Sequence, residues 1–334
     1  MQCPVTDLHC DMLLYLQHDA GRTPFDTCVR CAIPQMRNGR VKMQIMALFA
    51  ETEKGSAELG LKQADVFKVL ANRYPEDFEE VQTADAMSHI LLSSKIGIMA
   101  AVENASVFAE ESDSFEQVID RLHGIIGRVG KPLYIGLTWN NENRFGGGAH
   151  TQIGLKEDGK RLLDWIQGRK IAIDFSHSSD VLVSDVLSYI DEKNLHIPVM
   201  ASHSNFRTVA NMQRNLPDEL ASEILRRNGL VGINFVRSFL GDGGSRALIA
   251  QLERALDLGG ENQICFGADF FFDGDLPKSS ALSASPEGWF YPEFSDSSCY
   301  PQVMALWKNE LFLNDEALEK IAYRNLLKFM TMNG

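Results

Sequence analysis

Three histidines and three acids stand where apolar runs of strand length end. His9 and Asp11 lie just past Val5, Glu103 closes the run 98–102, His177 follows 171–176, His203 follows 197–202 and Asp269 follows 264–268. Imidazole and carboxylate are the donor types that hold zinc and related divalent ions. A lone histidine at a strand end is ordinarily a hydrogen-bonded structural residue. Its repetition, together with acids at other strand ends, points to one shared metal centre. His9 and Asp11 are two apart, so on an extended chain their side chains share a face.

Residues this far apart in sequence meet only if a fold gathers strand ends on one side. Eight apolar runs, separated by segments of helical periodicity or charge, read as strands: Val5 to His9, Lys42 to Phe49, Lys95 to Glu103, Tyr134 to Thr138, Lys170 to Phe175, Ile197 to Ser202, Leu230 to Phe235 and Ile264 to Asp269. Eight strands alternating with helices is the count of an α/β (β/α)8 TIM barrel, whose C-terminal strand ends open on one face. Helices are expected over Ser56 to Tyr74, ended by Pro75, over Asp180 to Tyr189, from Pro217 to about Arg227, and over Asp315 to Phe329. Two loops would overhang the site: 140–150, with its glycine triplet 146–148, and the aromatic stretch 270–301.

A chain of 334 residues, 45% hydrophobic, has apolar material for a large core, and residues 1–334 read as a single catalytic barrel domain. The net charge of −13 argues against nonspecific association with nucleic acid or an anionic membrane. No apolar stretch approaches the roughly 18 residues of a membrane span, and the first residues lack a signal-peptide pattern, so a cytoplasmic protein is expected. The six scattered cysteines read as reduced thiols, and the lone Cys28-Val29-Arg30-Cys31 spacing reads as incidental.

The ordered set Asp7-Leu8-His9-Cys10-Asp11, Val102-Glu103-Asn104, Asp174-Phe175-Ser176-His177, Ser202-His203-Ser204, Arg214-Asn215-Leu216-Pro217-Asp218, Gly267-Ala268-Asp269 and Asn325-Leu326-Leu327 resembles the membrane dipeptidase (renal dipeptidase) family of zinc peptidases in the amidohydrolase superfamily. The resemblance implies two zinc ions about 3.5–4 Å apart, with manganese or cobalt as alternatives. It implies that His9 and Asp11 hold one ion, that His177 and His203 hold the other, and that Glu103 bridges them. It further implies that hydroxide shared by the metals is the nucleophile, that Asp269 transfers the proton, and that Arg214 grips the carboxylate of a dipeptide substrate. L-Xaa-D-Xaa dipeptides would be admitted, and a homodimer is a further implied possibility.

The sequence departs from the family pattern in three places. Trp139 stands where many members have a histidine that polarises the scissile carbonyl, and His150 is a candidate replacement donor. Two additional phenylalanines, Phe271 and Phe272, lengthen the chain between Asp269 and Asp273. Ala322-Tyr323-Arg324 stands where glycines usually precede the asparagine, and only local repacking is expected there. Two alternative readings remain: an amidohydrolase acting on another small amide such as an N-acyl amino acid, favoured by Trp139, and a noncatalytic metal-retaining binding protein.

Overall fold

The computed structural model describes residues 3–275 and 288–333, so 276–287 of the second expected loop lie outside the described residues. Nine strands are present among these: β1 Val5–Cys10, β2 Val41–Leu48, β3 Phe78–Glu80, β4 Ile96–Val102, β5 Tyr134–Gly136, β6 Ala172–Asp174, β7 Val199–Ala201, β8 Leu230–Ile233 and β9 Ile264–Phe266. All pairings are parallel. β1 pairs with β2 on one side and β9 on the other, and β2 pairs directly with β4, which closes an eight-stranded (β/α)8 barrel. All eight expected strands belong to this ring.

β3 is an addition the sequence reading lacked. It pairs with Ile96 to Ile98 at the start of β4, on the edge whose later part, at Val102, is taken by β5. Only Phe78 of its three residues is buried, which leaves no alternation to read.

β4 is buried at all seven positions, as a parallel strand covered on both faces must be. Met43, Ile45, Met99, Tyr134, Met200 and Cys265 fall in one buried cluster with Leu326 and Phe329 near the C-terminus. These residues come from five strands, and their apolar packing makes the barrel a solid support for its rim. Gly232 and Gly267 permit close approach of β8, β9 and the end of β7, because a Cβ at either would lie 2.0 Å from the Ser202 carbonyl oxygen.

The helices follow their signals. Ser56–Arg73, Asp180–Glu192 and Asp218–Arg226 are helical, the last with Pro217 as its N-cap residue. Ser179 caps the second of these by accepting from Leu182 N (3.0 Å). The expected helix from Asp315 is interrupted: Asp315–Glu319 is α-helical, Lys320–Arg324 is a π-turn and Asn325–Asn333 is α-helical again. The interruption covers the departure at Ala322-Tyr323-Arg324. There Thr6 Oγ1 donates to the Ala322 carbonyl (2.9 Å), while Asn325 Nδ2 donates to Ile264 O (2.8 Å) and Glu261 O (3.0 Å), so both side chains tie this segment to the barrel.

Candidate metal centre

Seven strand ends contribute to one rim. Phe49 follows β2 directly, His9 lies within β1, Glu103 follows β4, and Trp139 and Asn140 follow β5. His177 comes three residues after β6, His203 two after β7 and Asp269 three after β9. The imidazoles of His9, His177 and His203 and the carboxylates of Asp11, Glu103 and Asp269 are buried and meet there.

His9 Nε2 lies 3.8 Å from Asp11 Oδ1, 3.6 Å from Glu103 Oε2 and 3.7 Å from Asp269 Oδ1. On the other carboxylate oxygen, Glu103 Oε1 is 3.1 Å from His177 Nε2 and 3.8 Å from His203 Nε2. Most of these separations exceed a hydrogen bond, but they suit donors facing a common cation at about 2.0–2.2 Å each. His9 Nε2, His203 Nε2 and Asp11 Oδ1 are buried without a hydrogen-bond partner. Buried polar atoms normally find partners, so these aligned orphans fit a divalent metal.

Each histidine is turned by a bond on its far nitrogen. Tyr134 donates its hydroxyl to Leu8 O (3.1 Å), so its oxygen accepts the Nδ1–H of His9 (2.8 Å). Asn140 Oδ1 accepts from His177 Nδ1 (2.9 Å). Ser202 donates to Asp174 Oδ2 (2.7 Å), so its oxygen accepts from His203 Nδ1 (2.7 Å). All three rings thereby present the Nε2 lone pair to the centre, the tautomer a metal ligand requires.

Asn234, one residue past β8, donates from Nδ2 to Asp269 Oδ2 (2.9 Å), leaving Oδ1 toward His9. Asp7, in the first motif, ties β1 to β9 by accepting from His9 N (3.2 Å) and Ala268 N (3.1 Å), and it also receives the Tyr300 hydroxyl. His177 and Asp269 both have left-handed backbones, at φ 66° and 64°, a conformation held against local preference at the site.

Burial governs the charges. It lowers His9 to about 3, helped by the Arg214 cation, and lowers His177 and His203 well below the ordinary imidazole range. It pushes Asp269 up to about 7, and it raises Glu103 and Asp11 well above the ordinary carboxylate range, with Asp11 and Asp269 adding to the rise at Glu103. In the protein alone burial therefore favours neutral imidazoles and the protonated forms of the acids. A dication would displace the acid protons.

Above the centre lies a pocket of about 620 Å³, part of it open to solvent. Trp139 lines it, half-buried, with its ring edge-on to Phe49 (centroids 5.1 Å apart) and 5.7 Å from the His177 ring. Phe271 and Phe272 also line it, so the two additional phenylalanines are wall residues, whereas Asp273 is exposed. Arg214 is buried, with Nη1 donating to Ser204 Oγ (2.9 Å) and Nη2 to His203 O (3.0 Å), while its Nε lacks a partner. His150 is exposed, and its backbone N donates to Asn140 O (2.8 Å).

Sequence reasoning passed over Tyr134, Asn140, Asp174, Ser202 and Asn234. Asn234 carries a usable signal, a polar residue next to the end of the apolar run Leu230 to Phe235.

A closed parallel barrel carrying this donor set on its C-terminal rim is of the metal-dependent hydrolase type. The family model for the membrane dipeptidases, Peptidase family M19, matches residues 1–333, and the chain belongs to that family. It is 26% identical over 203 residues to an uncharacterized protein in the PQQ-III 3' region of Acinetobacter calcoaceticus, a match spanning 58% of this chain and 60% of that relative. With an uncharacterized dipeptidase of Schizosaccharomyces pombe it shares 24% identity over 318 residues, 88% of this chain and 70% of the other. The fold matches that of a metallo peptidase from Rhodobacter sphaeroides liganded with a phosphinate mimic of L-Ala-D-Ala, at TM-score 0.83 and 20% identity over 98% of each chain.

Proposed function

We propose that the protein is a dipeptidase using two divalent cations, zinc by the chemistry of the donors. The observation that supports this best is the Glu103 carboxylate, one oxygen of which faces His9 while the other faces His177 and His203. In this reading His9 and Asp11 would hold one cation, His177 and His203 would hold the other, and Glu103 would serve both. When bound, such a pair polarises the amide carbonyl and makes water acidic enough to attack near neutral pH.

The chain's own groups do the rest. Asp269, with one oxygen fixed by Asn234 and the other toward His9, takes the proton from the attacking water and passes it to the leaving amine. Asn140, Tyr134 and Ser202 keep the imidazoles aligned. Arg214 supplies positive potential that draws the free carboxylate of a dipeptide. Trp139 places an indole N–H, a neutral donor, where many relatives have histidine.

The test is hydrolysis by zinc-loaded protein of L-L and L-D dipeptides, N-acyl amino acids and a tripeptide. Dipeptides should be cleaved and the tripeptide spared. Asp269→Asn should lower kcat by about 100- to 10,000-fold. Turnover confined to N-acyl amino acids would replace this reading with that of a related amidohydrolase, which the uncharged Trp139 favours. Binding of dipeptides without any turnover would instead support a noncatalytic role.

A further inference from the structure

The barrel order β1, β2, β4, β5, β6, β7, β8, β9 puts β4, with Glu103, opposite β8. Phe49 and Trp139 follow β2 and β5, the two neighbours of β4, and pack edge to face. Across the pocket, Val236 and Phe239 follow β8 and Phe271 follows β9, with Trp289 edge-on to Phe271 at 5.4 Å. The metal donors thus lie between two apolar walls.

Apart from the Arg214 guanidinium, which lies 5.5 Å from the Phe239 ring centroid and is spoken for by the substrate's terminal carboxylate, little in these walls offers a charge partner. Among the described residues no lysine or arginine lines the pocket. Its one acid away from the metal donors, Asp275, is held by both terminal nitrogens of Arg22, with Nη2 to Oδ1 at 2.8 Å. That guanidinium lies over the Tyr15 ring, 4.4 Å from its centroid, and 5.2 Å from that of Phe272. A charged substrate side chain would lose its hydration here without a partner among the described residues that line the pocket, while an aromatic one would meet ring edges and faces.

We propose that this pocket selects dipeptides with an aromatic or large branched apolar side chain on both sides of the cleaved amide. The inference rests on the dipeptidase reading and adds to it which dipeptides are taken. Asp269 marks the side of the leaving amine, so the C-terminal residue packs against Phe271, Trp289 and Phe239. The N-terminal residue packs against Trp139 and Phe49.

The test uses the metal-loaded full chain on Phe-Leu, Phe-Ala, Ala-Phe, Ala-Ala, Asp-Ala and Ala-Lys. Phe-Leu should exceed Ala-Ala, Asp-Ala and Ala-Lys in kcat/KM by roughly 100-fold or more, the scale of discrimination by side-chain contacts. Trp139→Ala should lower the ratio of Phe-Ala to Ala-Phe cleavage by about tenfold, and Phe271→Ala should raise it by a similar factor. As a readout free of turnover, L-phenylalanine should bind the loaded protein more tightly than L-alanine by titration calorimetry. Cleavage of the whole panel at rates within a few-fold would overturn the inference and leave the dipeptidase reading intact. Variants that reduce all substrates equally would also overturn it. No turnover of any member would take down the dipeptidase reading and this inference with it.

Discussion

The loop 139–150 and the chain that follows β9 both overhang the pocket, yet side-chain amide hydrogen bonds dominate the first and ring contacts the second. In the first, Asn143 Nδ2 donates to Leu137 O (2.8 Å) and Asn104 Oδ1 (3.2 Å), while its Oδ1 accepts from Phe145 N (2.8 Å) and Gly146 N (3.3 Å). Ala149 N donates to His177 O (2.8 Å) and Ser179 N to Gly147 O (3.0 Å), so this loop is sewn to the segment that carries a metal-facing imidazole. Its last glycine is required by proximity, since a Cβ on Gly148 would lie 1.8 Å from Trp139 O. In the second, a few polar ties, Asp11 N to Phe270 O (3.1 Å), Arg237 N to Trp289 O (2.8 Å) and the Arg22–Asp275 pair, are joined by rings: Phe270 and Phe271 each lie 5.3 Å from Phe290 between centroids. Hydrogen bonds are directional and apolar contacts are not. The polar loop therefore aims an atom, whereas the aromatic one shapes a volume.

Substitutions in the two loops should separate these roles. The largest effect is expected from Asn143→Ala, which strands several buried backbone and side-chain groups and should cost about 2–4 kcal/mol in urea unfolding of the metal-free protein. A loss below 1 kcal/mol would show that the loop is held by packing after all. Next comes Asn140→Ala, which frees the His177 ring and should weaken metal binding about 10- to 100-fold in a chelator competition. Phe271→Ala should leave that affinity within a factor of about two. Equal effects on metal binding from the two variants would erase the contrast.

The acidity of the centre gives a third check. Burial raises Asp11, Glu103 and Asp269 in the metal-free fold, Asp269 to about 7, and only their ionised forms serve a cation. Metal binding must therefore release protons, and the apparent affinity should fall as pH drops from 8 to 6, by about tenfold per unit for each proton released. Calorimetry in two buffers of different ionisation enthalpy counts those protons, and a count of zero at pH 7 would contradict the assignment. The smallest effect belongs to Asp273→Ala. Its carboxylate is exposed and only 3.4 Å from Arg30 Nη2, so stability should change by less than about 0.5 kcal/mol and turnover should hold.

The residues of the candidate centre stand out in the sequence because a buried parallel strand writes an uninterrupted apolar run, against which a histidine or acid at its end is conspicuous. The residues that aim them do not stand out. Asn140 and Ser202 are ordinary loop and turn types, and only the folded chain shows that each faces a ring nitrogen. Tyr134 was read as the start of a strand, with no sign that its hydroxyl crosses the interior to His9. Arg214 came from the family resemblance alone, and its two terminal nitrogens engage acceptors of the protein itself. The π-turn at Lys320–Arg324 escaped notice because an extra residue in one turn barely disturbs the apolar stripe.

β3 lies outside the ring and pairs only with β4, which leaves it as the sheet's free edge among the described residues. Such an edge invites the strand of another molecule, and with it aggregation. This one is three residues long, and its outer two, Glu79 and Glu80, are exposed acids, Glu79 lying 3.6 Å from Lys95 Nζ. Shortness and like charge repel a second copy at the place where the sheet could otherwise grow.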